Sequence, residues 1–172
     1  IDYSFSYGSI SSTLIEKIKI NNLKIHLKVS ISKYFNQSKF IESILFLKNK
    51  LNKYNIVSLS IHDPWYINEN NLTTLRNTFK FLKKEMPKLK IGISVYSKKD
   101  FIFLKKLECI EIIQLAYNPL QKKIFEYFVN EINTEKRFKL QIRSIFMQGL
   151  LLANDIQKYN INDSLKEYHK KW

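Results

Sequence analysis

Cysteine, glycine, proline and arginine are all scarce in this chain, and each scarcity closes off a class of protein. Cys109 is the one cysteine among 172 residues, so no internal disulfide can form and a reducing, cytoplasmic setting is expected. Standing just before an apolar run, its thiol reads as buried and inert. Gly8, Gly92 and Gly149 are the three glycines, and none stands in GxGxxG or GxxxxGK spacing, which argues against a Rossmann or P-loop phosphate site. Prolines also number three, and without a Pro/Gly-rich linker or low-complexity tract the chain reads as one domain over residues 1–172. No apolar stretch approaches the roughly 18 uncharged residues of a membrane span and no signal peptide is visible, so no membrane partner is expected.

Basic charge, by contrast, is plentiful. A net charge of +14 and a pI near 9.7 raise nucleic acid as a partner. Yet of the 29 basic residues all but Arg76, Arg137 and Arg143 are lysine, they spread over helix faces, and no arginine cluster or RNA-binding aromatic motif accompanies them. Nucleic acid is therefore not expected. His26, His62 and His169 lack zinc-ligand spacing, so no metal is expected, and His26 reads as facing away from Lys28 or as shifting with strand register.

What the chain does have is alternation. Residues 24–29 (KIHLKV), 56–61 (IVSLSI), 90–95 (KIGISV), 111–115 (EIIQL) and 139–144 (KLQIRS) are short and rich in β-branched residues, as strands buried on both faces are. Ile1 and Asp2 read as the tail of one more. Between them run helical stripes: Phe40, Ile44, Leu47 and Leu51; Leu72, Leu75, Phe79 and Leu82; Phe101, Leu104 and Leu107. Alternation at roughly thirty-residue intervals implies βαβ units with parallel strands and right-handed crossovers. Short apolar runs repeatedly end in a polar or titratable residue, Asp2, Tyr7, Lys28 and His62 among them. In a (β/α)8 TIM-type barrel the catalytic groups come from successive strand ends in this way. A whole barrel takes about 250 residues, so the expectation is an α/β fold of that type, incomplete, with about six parallel strands alternating with helices.

The motifs, taken in order, resemble the aldo/keto reductase family. IDYSFSYG resembles its strand-two signature, KIHLKVS its strand-three segment ending in Lys, and IVSLSIHDP its strand-four segment ending in His. KIGISVYS, IIQLAYNPL and RSIFMQGLLL are similar to its strand-five, strand-six and strand-seven segments. The resemblance covers nearly the whole chain and implies a partial barrel whose first and eighth strands lie before Ile1 and after Trp172. It implies an oxidoreductase that reduces a small aldehyde or ketone with NADP(H), or alternatively NAD(H), through a catalytic tetrad of Asp2, Tyr7, Lys28 and His62. It further implies cofactor contacts at Ser94 and Gln114, which match positions that hold the nicotinamide carboxamide, and at Arg143 and Ser144, with Gln148 lining the same region.

Elementary chemistry points the same way. Carbonyl reduction needs a hydride donor, which no side chain supplies, and a proton donor for the developing alkoxide. A tyrosine ionises near ~10 and donates better beside an ammonium, which Lys28 would supply with Asp2 as its partner. His62 would orient the carbonyl oxygen, and Trp65 would line an apolar substrate pocket. The chain departs from the family pattern in two places. SISSTLI follows Tyr7-Gly8 where Ser-Glu and Leu-Gly are usual, and Arg143 replaces a Tyr that stacks on the nicotinamide in many members. These departures motivate an alternative, a catalytically inactive barrel remnant that binds a nucleotide or a partner. Alone, a partial barrel would expose sheet edges at the strands of Asp2 and Arg143 and is expected to be unstable or inactive.

Overall fold

The computed structural model describes residues 2–4, 23–32, 35–51, 54–118 and 122–153, together with 161, 163, 166 and 167. Within them run β1 (Asp2–Ser4), β2 (Lys24–Val29), α1 (Gln37–Lys50), β3 (Asn55–Ile61), α2 (Glu69–Glu85), β4 (Lys90–Val95), α3 (Lys98–Leu104), β5 (Ile110–Ala116), α4 (Lys122–Thr134) and β6 (Lys139–Arg143). Short 3-10 turns follow β3 at Pro64–Tyr66 and β6 at Met147–Leu152. The strands form a single parallel sheet in the order β1-β2-β3-β4-β5-β6, with a helix after each of β2 to β5. This is the α/β alternation expected, and β2 and β4 have the expected bounds. Asp2 departs from expectation: it opens β1 instead of closing it, because the chain stays paired as far as Ser4, which lies opposite Lys28.

α1, α2 and α3 each begin where a polar side chain satisfies an amide that the helix itself leaves unbonded. Asn36 accepts from the Lys39 amide at 2.9 Å, Ser97 from the Asp100 amide at 3.1 Å, and Asn68 and Asn71 close a reciprocal box at the start of α2. The helices then bury one stripe each. All the stripe residues named above are buried, in one core with Ile25, Leu27, Leu59, Ile61, Ile91, Ile93 and Leu115 from the strands. Burial of each such side chain stabilises the fold by about 1.5–3 kcal/mol. Between α3 and α4, Lys105 pairs with Glu131 at 3.4 Å and Glu135 at 2.9 Å.

Strand residues alternate in direction, so the side chains of His26, Lys28, Ser58, Ser60, Ser94, Gln114 and Gln141 point away from the helices. Where they go shows the shape of the sheet. Gln114 on β5 reaches Asp2 on β1, and Gln141 on β6 reaches His26 on β2, although neither pair of strands is adjacent. Only a sheet curled part-way round a barrel brings those strands within hydrogen-bond distance. The concave face is therefore the barrel interior.

Candidate active site

The interior is polar where closed barrels are filled with layers of branched aliphatic side chains. The Lys28 ammonium lies 2.8 Å from Asp2 Oδ2, with the lysine side chain 4% exposed and the aspartate 40%. β1 and β2 run side by side with Asp2 opposite His26, so the pair bridges diagonally from one strand to the next. Gln114 Nε2 donates to the same Asp2 oxygen at 3.4 Å and to Gln141 Oε1 at 3.3 Å. Gln141 Nε2 in turn donates to His26 Nδ1 at 3.1 Å, and Ser58 Oγ lies 2.8 Å from that nitrogen. The bonds run in one direction, from amide donors to the carboxylate on one side and to the imidazole on the other. A ring that accepts at Nδ1 carries its proton on Nε2. Burial pushes the His26 pKa below its ordinary value, with Lys28 and Lys24 acting the same way against Asp2, and this favours the neutral ring that accepts these bonds.

His26 thus shares a face with Lys28, contrary to expectation. Residues two apart in a strand point the same way, and the shift in β2–β3 register between Ile25 and His26 does not turn the ring out of the interior.

His62 stands at the top of β3, where its amide still pairs with the Val29 carbonyl at 2.8 Å. Its Nδ1 lies 2.9 Å from Asp63 Oδ1. A carboxylate only accepts, so this bond puts the proton on Nδ1. Asp63 thus orients the histidine.

Ser94 and Gln114 are paired in register on β4 and β5, and both are buried. Among the described residues, Ser94 Oγ and Gln114 Oε1 have no hydrogen-bond partner. Buried polar atoms are seldom left unpaired, and these two present a hydroxyl and a carbonyl side by side, the complement of a primary amide. Arg143 ends β6, its guanidinium 4.6 Å from the Tyr96 ring, while Tyr96 packs on Trp65 at 5.4 Å between ring centres. Ser144, exposed, follows with φ 59°, a left-handed conformation that turns the chain sharply out of the strand.

Of the residues singled out from sequence, Asp2, Lys28 and Gln114 come together in one network, and His62 and Ser94 stand on the neighbouring strands. Arg143 lies across the mouth towards Tyr96. Tyr7 and Gly8 fall outside the described residues, as does His169. Gln141, Ser58 and Tyr96 were not anticipated. A signal was present for the first two: Gln141 is two residues before Arg143, and Ser58 lies in an alternating apolar-polar run.

Cys109 is half-buried, and burial pushes its thiol pKa up, which disfavours the reactive thiolate. Among the described residues there is no cluster of His, Cys, Asp or Glu suited to a metal ion, and no helix long and apolar enough to cross a membrane. No protein-family model and no curated protein sequence matches this chain.

Proposed function

We propose that this chain forms most of a (β/α)8 barrel of the aldo/keto reductase type, a cytoplasmic NAD(P)H-dependent oxidoreductase acting on an aldehyde or ketone. The observation that carries the reading is the buried ammonium of Lys28 held at 2.8 Å by Asp2, with His62 oriented on the next strand. A buried lysine is unfavourable unless its charge is used or compensated, and here it sits inside the barrel mouth. In this reading Tyr7 delivers the proton to the carbonyl oxygen, Lys28 favours the phenolate that remains, and Asp2 holds Lys28 in place. His62, at the end of the next strand, orients the substrate.

The residues present fit a nicotinamide. Its carboxamide would donate to Gln114 Oε1 and accept from Ser94 Oγ, the two buried atoms left without partners. The nicotinamide supplies the hydride; the protein side chains bind, orient and protonate.

The test uses the full-length protein. NADPH titration should quench tryptophan fluorescence, and aldehyde-dependent NADPH oxidation should fall by a factor of about 10² or more in Tyr7→Phe, the loss expected of a general acid. Binding of NADPH with no turnover of any aldehyde or ketone would instead favour the nucleotide-binding remnant. Failure of the full-length chain to bind either NADPH or NADH would sink the reductase reading.

A further inference from the structure

The three arginines of the chain are held very differently. Arg137 is fully engaged: Nε meets Glu135 at 3.2 Å, Nη1 and Nη2 donate to the carbonyls of Glu108 at 3.3 Å and Lys105 at 2.7 Å, and the guanidinium stacks on Phe138 at 4.3 Å. Arg76 donates through Nη2 to the Lys106 carbonyl at 3.3 Å and leaves Nε without a partner. Arg143 donates only through Nη1, to its neighbour Ser144 Oγ at 3.5 Å, the outer limit of a hydrogen bond. Its Nε and Nη2 are both buried and both unpartnered, and no carboxylate among the described residues pairs with it.

Those two nitrogens form one edge of the guanidinium, the fork whose parallel N–H groups match the two oxygens of a carboxylate or phosphate. The rest of the side chain is already immobilised. Its face lies on Tyr96, Tyr96 Oη donates to the His62 carbonyl at 3.4 Å, and Trp65 packs behind Tyr96. The fork is therefore preorganised at the same strand ends as His62, on β6 opposite Ala116 of β5. The backbone next to it is held in unfavourable conformations, with Ser144 at φ 59° and Met147 at φ 49°. Non-glycine residues persist in that region where the surroundings enforce it, most often beside ligand sites.

We infer that Arg143 is an anion receptor, its Nε/Nη2 edge clamping a carboxylate or phosphate of the ligand that enters the barrel mouth. This goes beyond a guanidinium stacked on a nicotinamide ring, and the identity of the ligand rests on the reductase reading. The oxyanion has two sources, an acidic group on the carbonyl substrate or the diphosphate of the dinucleotide.

The arginine Nε–H resonances in a ¹⁵N spectrum of the full-length protein decide the matter, those of Arg76, Arg137 and Arg143 each assigned by its loss in the corresponding Lys variant. Acetate and inorganic phosphate are titrated in turn at constant ionic strength held with chloride. The Arg143 resonance, assigned by its loss in Arg143→Lys, should shift saturably while those of Arg76 and Arg137 stay in place. An Arg143 resonance that moves no more than the other two overturns the inference. Kinetics then separate the sources in Arg143→Met. A KM for succinic semialdehyde raised roughly tenfold or more, with the KM for butanal and the NADPH affinity unchanged, assigns the clamp to the substrate. A similar fall in NADPH affinity, with both aldehydes affected alike, assigns it to the dinucleotide. An active variant with all three constants unchanged overturns the inference. If the full-length protein neither binds NADPH nor reduces an aldehyde, the reductase reading fails, and the spectrum alone decides whether Arg143 receives an anion.

Discussion

Lys28 and Asp2 are unequal partners: the lysine is enclosed, and the aspartate still meets solvent on 40% of its side chain. Removing the carboxylate leaves a buried charge, which costs more than removing the lysine and leaving a carboxylate that water can reach. Asp2→Asn is expected to lower stability by about 2 kcal/mol, below the ~3–5 kcal/mol of a wholly buried pair, and Lys28→Met by less. Urea denaturation of the two variants checks the order. His26 makes a second prediction, in pH. Burial holds its folded pKa below the model-peptide value of 6.5, so above that pH both folded and unfolded chains carry a neutral ring and the contribution to stability is complete. As the pH falls through 6.5 the unfolded chain takes up a proton that the folded chain resists, and stability is lost until the folded pKa is passed. His26→Gln should flatten that part of the profile in urea midpoints measured from pH 8 to 5; parallel profiles for wild type and variant would refute the assignment. These residues were unequally legible. Lys28 stood out as a charge within an apolar strand, whereas Gln141 had only its place two residues before Arg143 to mark it, and its contact with His26 shows once β2 and β6 are known to face each other.

At the scale of elements, the alternating strands and the stripes Phe40 to Leu51, Leu72 to Leu82 and Phe101 to Leu107 were legible because the helical period marks the buried face directly. α4 was less so. It packs beside β6, where among its described side chains Phe128 is wholly buried and Phe125, Tyr127 and Ile132 are only partly covered. The strands were read as buried on both faces, which holds for Ser58, Ser60 and Ser94 as well as for the aliphatic side of β3 and β4, but not for β6, whose residues are exposed or half-buried. What the period could not show is how closely the inner residues approach. At Gly92 a Cβ would sit 2.3 Å from Ser60 Oγ, 3.1 Å from Ile112 Cβ and 3.3 Å from the Ile112 carbonyl. The serine can rotate away, but the backbone of β5 cannot. Gly92→Ala is therefore expected to destabilise by about 1–3 kcal/mol, and Ser60→Gly in the same chain should recover part of it. Thermal unfolding of the single and double variants reads both effects.

For the molecule as a whole, adjacent strands from β2 to β6 are joined through one helix each, whereas the polar network spans the sheet. Asp2 and Gln114 are 112 residues apart in sequence, and His26 and Gln141 are 115 apart. Contacts of that separation carry the largest chain-closure entropy, so neighbouring βα units can assemble well before them. The network then belongs to the end of the folding reaction, after the rate-limiting barrier. Gln141→Leu should accelerate unfolding in stopped-flow denaturant jumps and leave the refolding rate unchanged; equal slowing of refolding would place the seam in the transition state instead. The cross-barrel amides would thus set how long the native state lasts once formed, a kinetic clasp on a site whose separate pieces are already in place before it closes.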